Sequence, residues 1–467
     1  MSASTTSKYR AAKTSRRLHW FARLWAVATL VYFASNADAR PVSVLVVLSA
    51  LPVLFRPGYL PFLAGLVGVQ LLGLAAQLPY ISNHWTLVSA VNAAALVSLF
   101  ALAWRRRGVS GDAIPEQNRD WGAGFLATVH VLVPLVYGLA AMHKLNADFL
   151  NPQVSCAVEL SARLLGDVAR ESWLAEATIW GTLLVEFGLA TLLAIRRTRV
   201  AGVMLGLVFH AILGLMPGLG VYDFAAAMCA LYVLILPREA WMAVVGGDSE
   251  RQRRRRRWAG RAIVAAATCL AALYLAHSGL WWAMDSRVLE ATLREGARWM
   301  VIALLVAGLL RVGLAAGVTA ANDRQHGRLL WAHYVVVAAF VLNAASPYLG
   351  LKTTYSLTMF SNLRTEGDSP NHLLVGDALR GFDYQDELVR VAASDDPAMS
   401  ELIGSERYVP IYEVAAQAGQ GYYVLESPEG TRRRLIVDEL RGEANVGWER
   451  TVLRFRQVGV PVNRCFQ

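Results

Sequence analysis

Val200-Ala201-Gly202-Val203-Met204-Leu205-Gly206-Leu207-Val208-Phe209-His210-Ala211-Ile212-Leu213 carries a single polar side chain, His210. A strand of an outer-membrane barrel would alternate apolar and polar residues over about ten positions, and no such alternation is present. A segment apolar on every side and surrounded by lipid must satisfy its backbone internally, so it is a helix. Comparable runs, close to the roughly 17–25 residues that cross a hydrocarbon core, recur between Leu18 and Leu351. They lie near 20–35, 41–55, 58–79, 86–104, 122–143, 172–195, 200–217, 221–236, 259–278, 298–316 and 329–348. The expected fold is therefore an α-helical polytopic membrane bundle of about eleven spans.

Composition agrees. The 467 residues are 55% hydrophobic and 17% charged, with a mean hydropathy of +0.38, more apolar than an ordinary soluble domain. The net charge of +10 raises the question of nucleic acid, and the placement of the charges answers it. Lys8, Arg10, Lys13, Arg16 and Arg17 precede the first run and Arg105–Arg107 follow the fourth. Arg196, Arg197 and Arg199 lie between the sixth and seventh, Arg253–Arg257 between the eighth and ninth, and Arg324 and Arg328 between the tenth and eleventh. If the chain crosses at each run, all fall on one side, as cytoplasmic loops require. The expected partner of these charges is anionic lipid rather than nucleic acid. The same count gives a basic cytoplasmic N-terminus over 1–17, a transmembrane region over 18–350 and an exoplasmic C-terminal domain over 351–467. No small-residue cleavage pattern follows the first run, so the first helix is expected to remain.

From Lys352 onward the apolar stretches shorten to strand length, as in Tyr408–Val414, Tyr422–Glu426 and Leu435–Leu440, with Ser427–Gly430 reading as a turn. A small α+β or β-rich domain is expected there, with a helix near Asp383–Ala393. Of the four cysteines, Cys229 and Cys269 fall in apolar runs, whereas Cys156 and Cys465 both fall on the outer side. Those two could pair in an oxidising compartment or stay free. No metal-ligand spacing occurs, and no metal is expected. Gly214–Gly220 lacks the Lys-Ser/Thr of a phosphate loop and reads as an interhelical turn.

Ionisable groups inside spans are costly and mark candidate sites. His130, Tyr137 and Lys144 recur every seven residues in the fifth run and share one helical stripe. Glu186 stands alone in Leu183-Leu184-Val185-Glu186-Phe187, and His210 alone in the opening stretch. From position alone, Lys144 also reads as a lysine snorkelling from a helix end, the two histidines as imidazoles serving neighbouring polar groups, and Glu186 as half of a structural ion pair.

The stretch Tyr137-Gly138-Leu139-Ala140-Ala141-Met142-His143-Lys144-Leu145-Asn146-Ala147-Asp148-Phe149 resembles the signature of the vitamin K-dependent γ-carboxylases and their bacterial relatives, the HTTM (horizontally transferred transmembrane) proteins. In that pattern the second lysine, here Lys144, is the catalytic base. His143 stands in place of the first lysine and Phe149 in place of a tryptophan. Glu186 takes the place of a family aspartate, Phe209–His210 that of a Phe-His pair, and the interval from acid to histidine, 210 minus 186 or 24, is similar as well. Asn83–His84 resembles the family's Asn-His entry to a helix. The family's His-Tyr-Trp segment, implicated in handling CO2, has no counterpart at Ala103–Arg107. The resemblance covers about residues 20–235.

What the resemblance implies is a membrane enzyme that oxidises vitamin K hydroquinone or a related quinol, with O2 and CO2 as co-substrates, and modifies glutamate on a secreted or membrane peptide. Lys144 and His210 would be catalytic, and Tyr137, His143, Glu186, His130 and His84 would orient the quinol. A bacterial inner membrane is the implied location. A lysine beside an apolar pocket can serve as a neutral base, since losing solvent disfavours its charge. Two other classes stay open: a non-enzymatic helper in peptide maturation or export, and a proton-coupled transporter with Glu186 and the histidines as relay.

Overall fold

The computed structural model describes residues 3–36, 40–106, 114–216, 219–245, 250–280, 286–313 and 329–465. Arg107, Arg324, Arg328 and two residues of the expected turn, Pro217 and Gly218, lie outside the described residues. The chain forms two compact units, one of residues 1–76, 87–135 and 188–338, the other of residues 77–86, 136–187 and 339–467.

Among the described residues, six helices are long and apolar enough to cross a bilayer: Asn83–Trp104, Gly122–His143, Ser172–Ala194, Arg196–Leu215, Arg253–Gly279 and Arg287–Gly313. Tyr222–Ile235 and the helix after it, bent by 117° at their junction, make a seventh if counted as one span. The expected eleven are not reached. Pro41–Phe55, Leu60–Ala75 and Trp331–Ala345 are helices of only 15, 16 and 15 residues. At 1.5 Å per residue these rise about 21–24 Å, short of a hydrocarbon core of about 30 Å.

In the first unit Tyr222–Ile235 is buried along nearly its whole surface, which its sequence, apolar apart from Asp223 and the two tyrosine hydroxyls, permits. Arg17 caps the end of that helix by donating to the carbonyls of Val233, Leu234 and Leu236. A closed polar chain runs through the interior. Trp25 Nε1 donates to Asn92 Oδ1 (3.0 Å), Asn92 Nδ2 to Gln70 Oε1 (3.0 Å), Gln70 Nε2 to Thr29 Oγ1 (2.8 Å), and Thr29 Oγ1 to the Trp25 carbonyl (2.9 Å). Every buried member is satisfied, so the chain fixes helix register without an unpaired group.

The second unit joins membrane-length helix to irregular chain and a small sheet. Strands β1 (Leu388–Ser394), β2 (Val409–Pro410), β3 (Tyr422–Glu426) and β4 (Arg432–Ile436) pair antiparallel in the order β2-β1-β3-β4. Ser427–Gly430 closes the β3–β4 hairpin, with Gly430 at φ +86°. The helix expected near Asp383–Ala393 is instead β1. Its valines at 389 and 391 are buried against Val409, Val414 and Leu425, and strands on both sides take up its backbone, an environment suited to β-branched residues. Short helices at Ile411–Gln417 and Val437–Glu443 cover the sheet. The disulfide between Cys156 and Cys465 is formed.

Asp396 organises the turn beside the sheet. Its carboxylate accepts from the Tyr423 hydroxyl (2.5 Å) and from the amides of Ala398 (3.0 Å), Gly419 (2.6 Å) and Gln420 (3.3 Å). These donors, the Tyr423 hydroxyl foremost, pull it down to about 2. The stability involved is whole above about pH 4, the ordinary aspartate value, and is lost as the pH falls through about 2. Asp396→Asn should therefore weaken the turn at neutral pH and flatten the rise in pepsin cleavage near residues 418–427 between pH 4 and pH 2.

Candidate functional site

The helix Ile114–His143 ends one residue before Lys144. The chain then turns at once, because Asn146 caps the next short helix: its Oδ1 accepts from Phe149 N (2.8 Å), and its Nδ2 donates to the His143 (2.8 Å) and Ser361 (2.6 Å) carbonyls. This leaves Lys144 at a helix end but only 3% exposed. Its amine donates to Glu186 Oε1 (3.0 Å) and to the Ala140 carbonyl (3.3 Å), and lies 2.9 Å from Glu186 Oε2. The ammonium thus makes two hydrogen bonds and a close charge contact with the second carboxylate oxygen.

Glu186 sits in the buried stripe of Ser172–Ala194, in line with Ala175, Ile179, Leu183, Leu189 and Leu193. Leu184, Trp180 and Trp173 face outward from the same helix. Counting along that helix gives the depth of the pair. Glu186 is eight residues, about 12 Å, from Ala194, and fourteen residues, about 21 Å, from Ser172. Lys144 thus turns to a buried acid rather than out to solvent. It is held at an interior level of a membrane-length helix, and the chain that follows it continues beside the remaining turns. Phe149, Cys156, Ala157 and Val158 pack on Ala175, Ile179 and Leu183, with Phe360 and Cys465 against the same cluster.

Irregular backbone at such a level must be enclosed by protein and internally bonded, and residues 353–366 are. Leu357 N donates to Asn83 Oδ1 (2.7 Å), and Asn343 Nδ2 to the Tyr355 carbonyl (3.1 Å). Arg364 donates to the carbonyls of Gly459 (2.8 Å) and Pro461 (2.7 Å), and Arg456 to the fully buried Glu366 (3.1 Å). Four non-glycine residues, Tyr355, Leu357, Phe360 and Asn362, take positive φ there, a conformation that persists only where the surroundings enforce it. Asp148 gathers the ends of the segment by accepting from Asn371 Nδ2 (2.7 Å) and Asn463 N (3.0 Å).

His143 turns toward Tyr348, stacked on its ring at 5.5 Å, with Nδ1 2.8 Å from the hydroxyl. Burial pushes the Tyr348 phenol up. His143 Nε2 is buried and finds no hydrogen-bond partner among the described residues. His372 is fixed as one tautomer. Its Nδ1 accepts from the amides of Leu374 (3.1 Å) and Val375 (3.0 Å), so Nε2 carries the proton and donates to the Met142 carbonyl (2.9 Å). Burial lowers its pKa, against the Met142 hydrogen bond that raises it.

The remaining sequence candidates have other surroundings. Tyr137 is buried in the helix two turns before Lys144. His130 is fourteen residues before Lys144, about 21 Å along one helix. There its Nε2 meets the Leu234 carbonyl (3.0 Å) and its Nδ1 meets Arg199 (3.4 Å). His210 belongs to the first unit, fully buried among the rings of Phe209, Phe224 and Tyr232. His84 Nε2 contacts the Ser82 hydroxyl (3.2 Å). Tyr348, His372, Asn371 and Asp148 escaped the sequence reading. Asp148 stood within a motif and Tyr348 at the end of the last apolar run, whereas Asn371 and His372 lie in a stretch without hydrophobic periodicity.

Chemically, the pair can pass one proton between amine and carboxylate inside a medium that penalises unpaired charge. Removing either partner alone leaves the other charge buried and uncompensated, which costs about 3–5 kcal/mol. Lys144→Met and Glu186→Gln should each lower the thermal unfolding temperature in nanodiscs, and Lys144→Met with Glu186→Leu should regain most of the loss. Additive effects would show that the two groups do not depend on one another.

No family model, no curated protein and no solved structure matches this chain, and the site is therefore interpreted from its own chemistry.

Proposed function

We propose that the protein is a membrane-embedded enzyme of the vitamin K-dependent γ-carboxylase type, in which Lys144 is the base that deprotonates a lipid-soluble quinol. The observation that carries this reading is the buried contact between Lys144 and Glu186. A proton passed from amine to carboxylate leaves a neutral amine beside a neutral acid, a state that low polarity favours over two separated charges. The neutral amine then takes the proton of a quinol hydroxyl. His143 Nε2, buried and unbonded next to Lys144, is the group that would hold the quinol oxygen. Tyr348 on the other ring nitrogen sets the imidazole plane. The quinol, oxidised by O2 to its epoxide and water, supplies the driving force for removing a glutamate γ-proton, with CO2 as the carbon donor. Burial of the pair keeps bulk water from its proton.

We also infer the placement. The basic run that follows Ala194 marks the cytoplasmic side, in the inner membrane of a bacterium. Cys156–Cys465 lies beyond Lys144 toward the opposite side, where a disulfide persists. A proton-coupled transporter is the second reading. The interior level of the pair also suits a relay, and Glu186→Gln would then uncouple flux from the proton gradient.

The decisive variant is Lys144→Arg. Arginine retains the ion pair with Glu186 but does not give up its proton. Purified protein in lipid, supplied with vitamin K hydroquinone and O2, should form epoxide. Lys144→Arg should lose about 10²–10⁴-fold of that rate while melting close to the parent. An arginine variant as active as the parent would remove the lysine from the chemistry.

A further inference from the structure

We propose that strand β4 is a docking edge that takes up an extended segment of another protein bearing carboxylates at alternate positions. The inference stands apart from the reaction assigned above. The sheet order β2-β1-β3-β4 leaves two edges, β2 and β4. Edges expose unpaired backbone groups and are usually kept short, covered or interrupted. The β2 edge follows that rule. It is two residues long and ends in Pro410, which has no amide to offer. Just before it, Tyr408 exchanges both backbone bonds with Val458 (2.9 and 2.8 Å).

The β4 edge does not. In an antiparallel ladder only alternate residues turn their amide and carbonyl toward the neighbouring strand. Strands β3 and β4 pair residue by residue from Tyr422 with Ile436 to Glu426 with Arg432. The bonds at the two ends fix the phase: Ser427 N donates to the Thr431 carbonyl (2.9 Å), and Val437 N to the Gly421 carbonyl (3.3 Å). Arg433 and Leu435 therefore turn their backbone groups to β3, while Arg432, Arg434 and Ile436 turn theirs outward. Ile436 N is held by Glu439 Oε2 (2.9 Å). The outward amides and carbonyls of Arg432 and Arg434 have no hydrogen-bond partner among the described residues, and both residues are exposed.

Charge selects the occupant. The two arginine side chains are drawn back over the sheet instead of out across its edge. The Arg434 guanidinium lies 4.1 Å from the centre of the Tyr422 ring, and Arg432 Nε donates to Glu426 Oε2 (2.6 Å). Arg390 binds the same Glu426. Residues opposed across a ladder share a face, so Arg390, Arg432 and Arg434 stand on one face with a single acid among the paired residues, Glu426. A strand added antiparallel to β4 places two of its residues, two positions apart, opposite Arg432 and Arg434 with their side chains over that face. Glutamate or aspartate at both positions meets the excess positive charge. A second copy of the chain fits poorly, because two β4 edges paired over these residues set Arg432 against Arg434, like charges directly opposite.

The test uses full-length protein in nanodiscs and fluorescein-labelled peptides read by anisotropy. The probe is Glu-Val-Glu-Val-Glu-Val, with Lys-Val-Lys-Val-Lys-Val as the charge-inverted control. The acidic peptide should bind and the basic one should not. N-methylation of the glutamate amides keeps every charge but removes the donors that pair with the edge, and should cost at least about tenfold in affinity. Arg434→Glu, in a protein that melts like the parent, should cost about tenfold as well. Equal binding of the methylated and unmethylated peptides would overturn the proposal, since charge alone would then account for the attraction. Equal binding of the acidic and basic peptides would overturn it too. So would binding of neither, including the case in which mass photometry shows a dimer that Arg434→Glu disperses, which would give the edge to a second copy.

Discussion

An amine and a carboxylate that meet where no water can screen them constrain everything around them. Glu186 has no other reason to lie in a stripe of alanine, isoleucine and leucine, and Lys144 has no other reason to be enclosed at the very end of its helix. Each group is tolerable only because the other is within 3 Å. The contact sets the relative height of two helices, and that height decides how much chain must be packed above the lysine.

That chain is the costly part of the structure. A backbone at an interior level of a membrane-length helix has to find its hydrogen bonds within the protein, and the irregular stretches around the short helices Ala147–Leu150 and Cys156–Leu165 do so largely through side chains. Asn146, Asp148, Asn362 and Asn463 act as substitutes for a helical ladder, each binding main-chain groups from segments far apart in sequence, and Asn371 ties its own loop to them. The left-handed residues between Tyr355 and Asn362 are the strain accepted in exchange. An arrangement this over-determined holds its parts rigidly.

Much of this was legible in the residues, and some was not. Val200–Leu213 declares a membrane helix because nothing in it alternates. Glu186 and Lys144 announce themselves by being ionisable where their neighbours are not, yet their mutual contact across 42 positions is information only three dimensions hold. Pro41–Phe55 and Leu60–Ala75 read as spans by their apolarity, yet as helices of 15 and 16 residues they fall short of a hydrocarbon core. The acid-rich Asp383–Glu387 stretch imitates a helix start, but the valines at 389 and 391 favour pairing with two neighbouring strands. His372 and Tyr348 carry no pattern at all, since their meaning comes from the carbonyl and imidazole they reach.

The bridge from Cys156 to Cys465 spans 309 positions, and it has a bearing on biogenesis. A ribosome delivers the lysine segment long before it delivers Asn463 and Cys465, the residues that complete the cluster around Asp148. Until Asn463 and Cys465 have been synthesised, Asp148 and Cys156 lack the partners that close this cluster. The lysine segment thus stays chemically unfinished until Asn463 and Cys465 arrive.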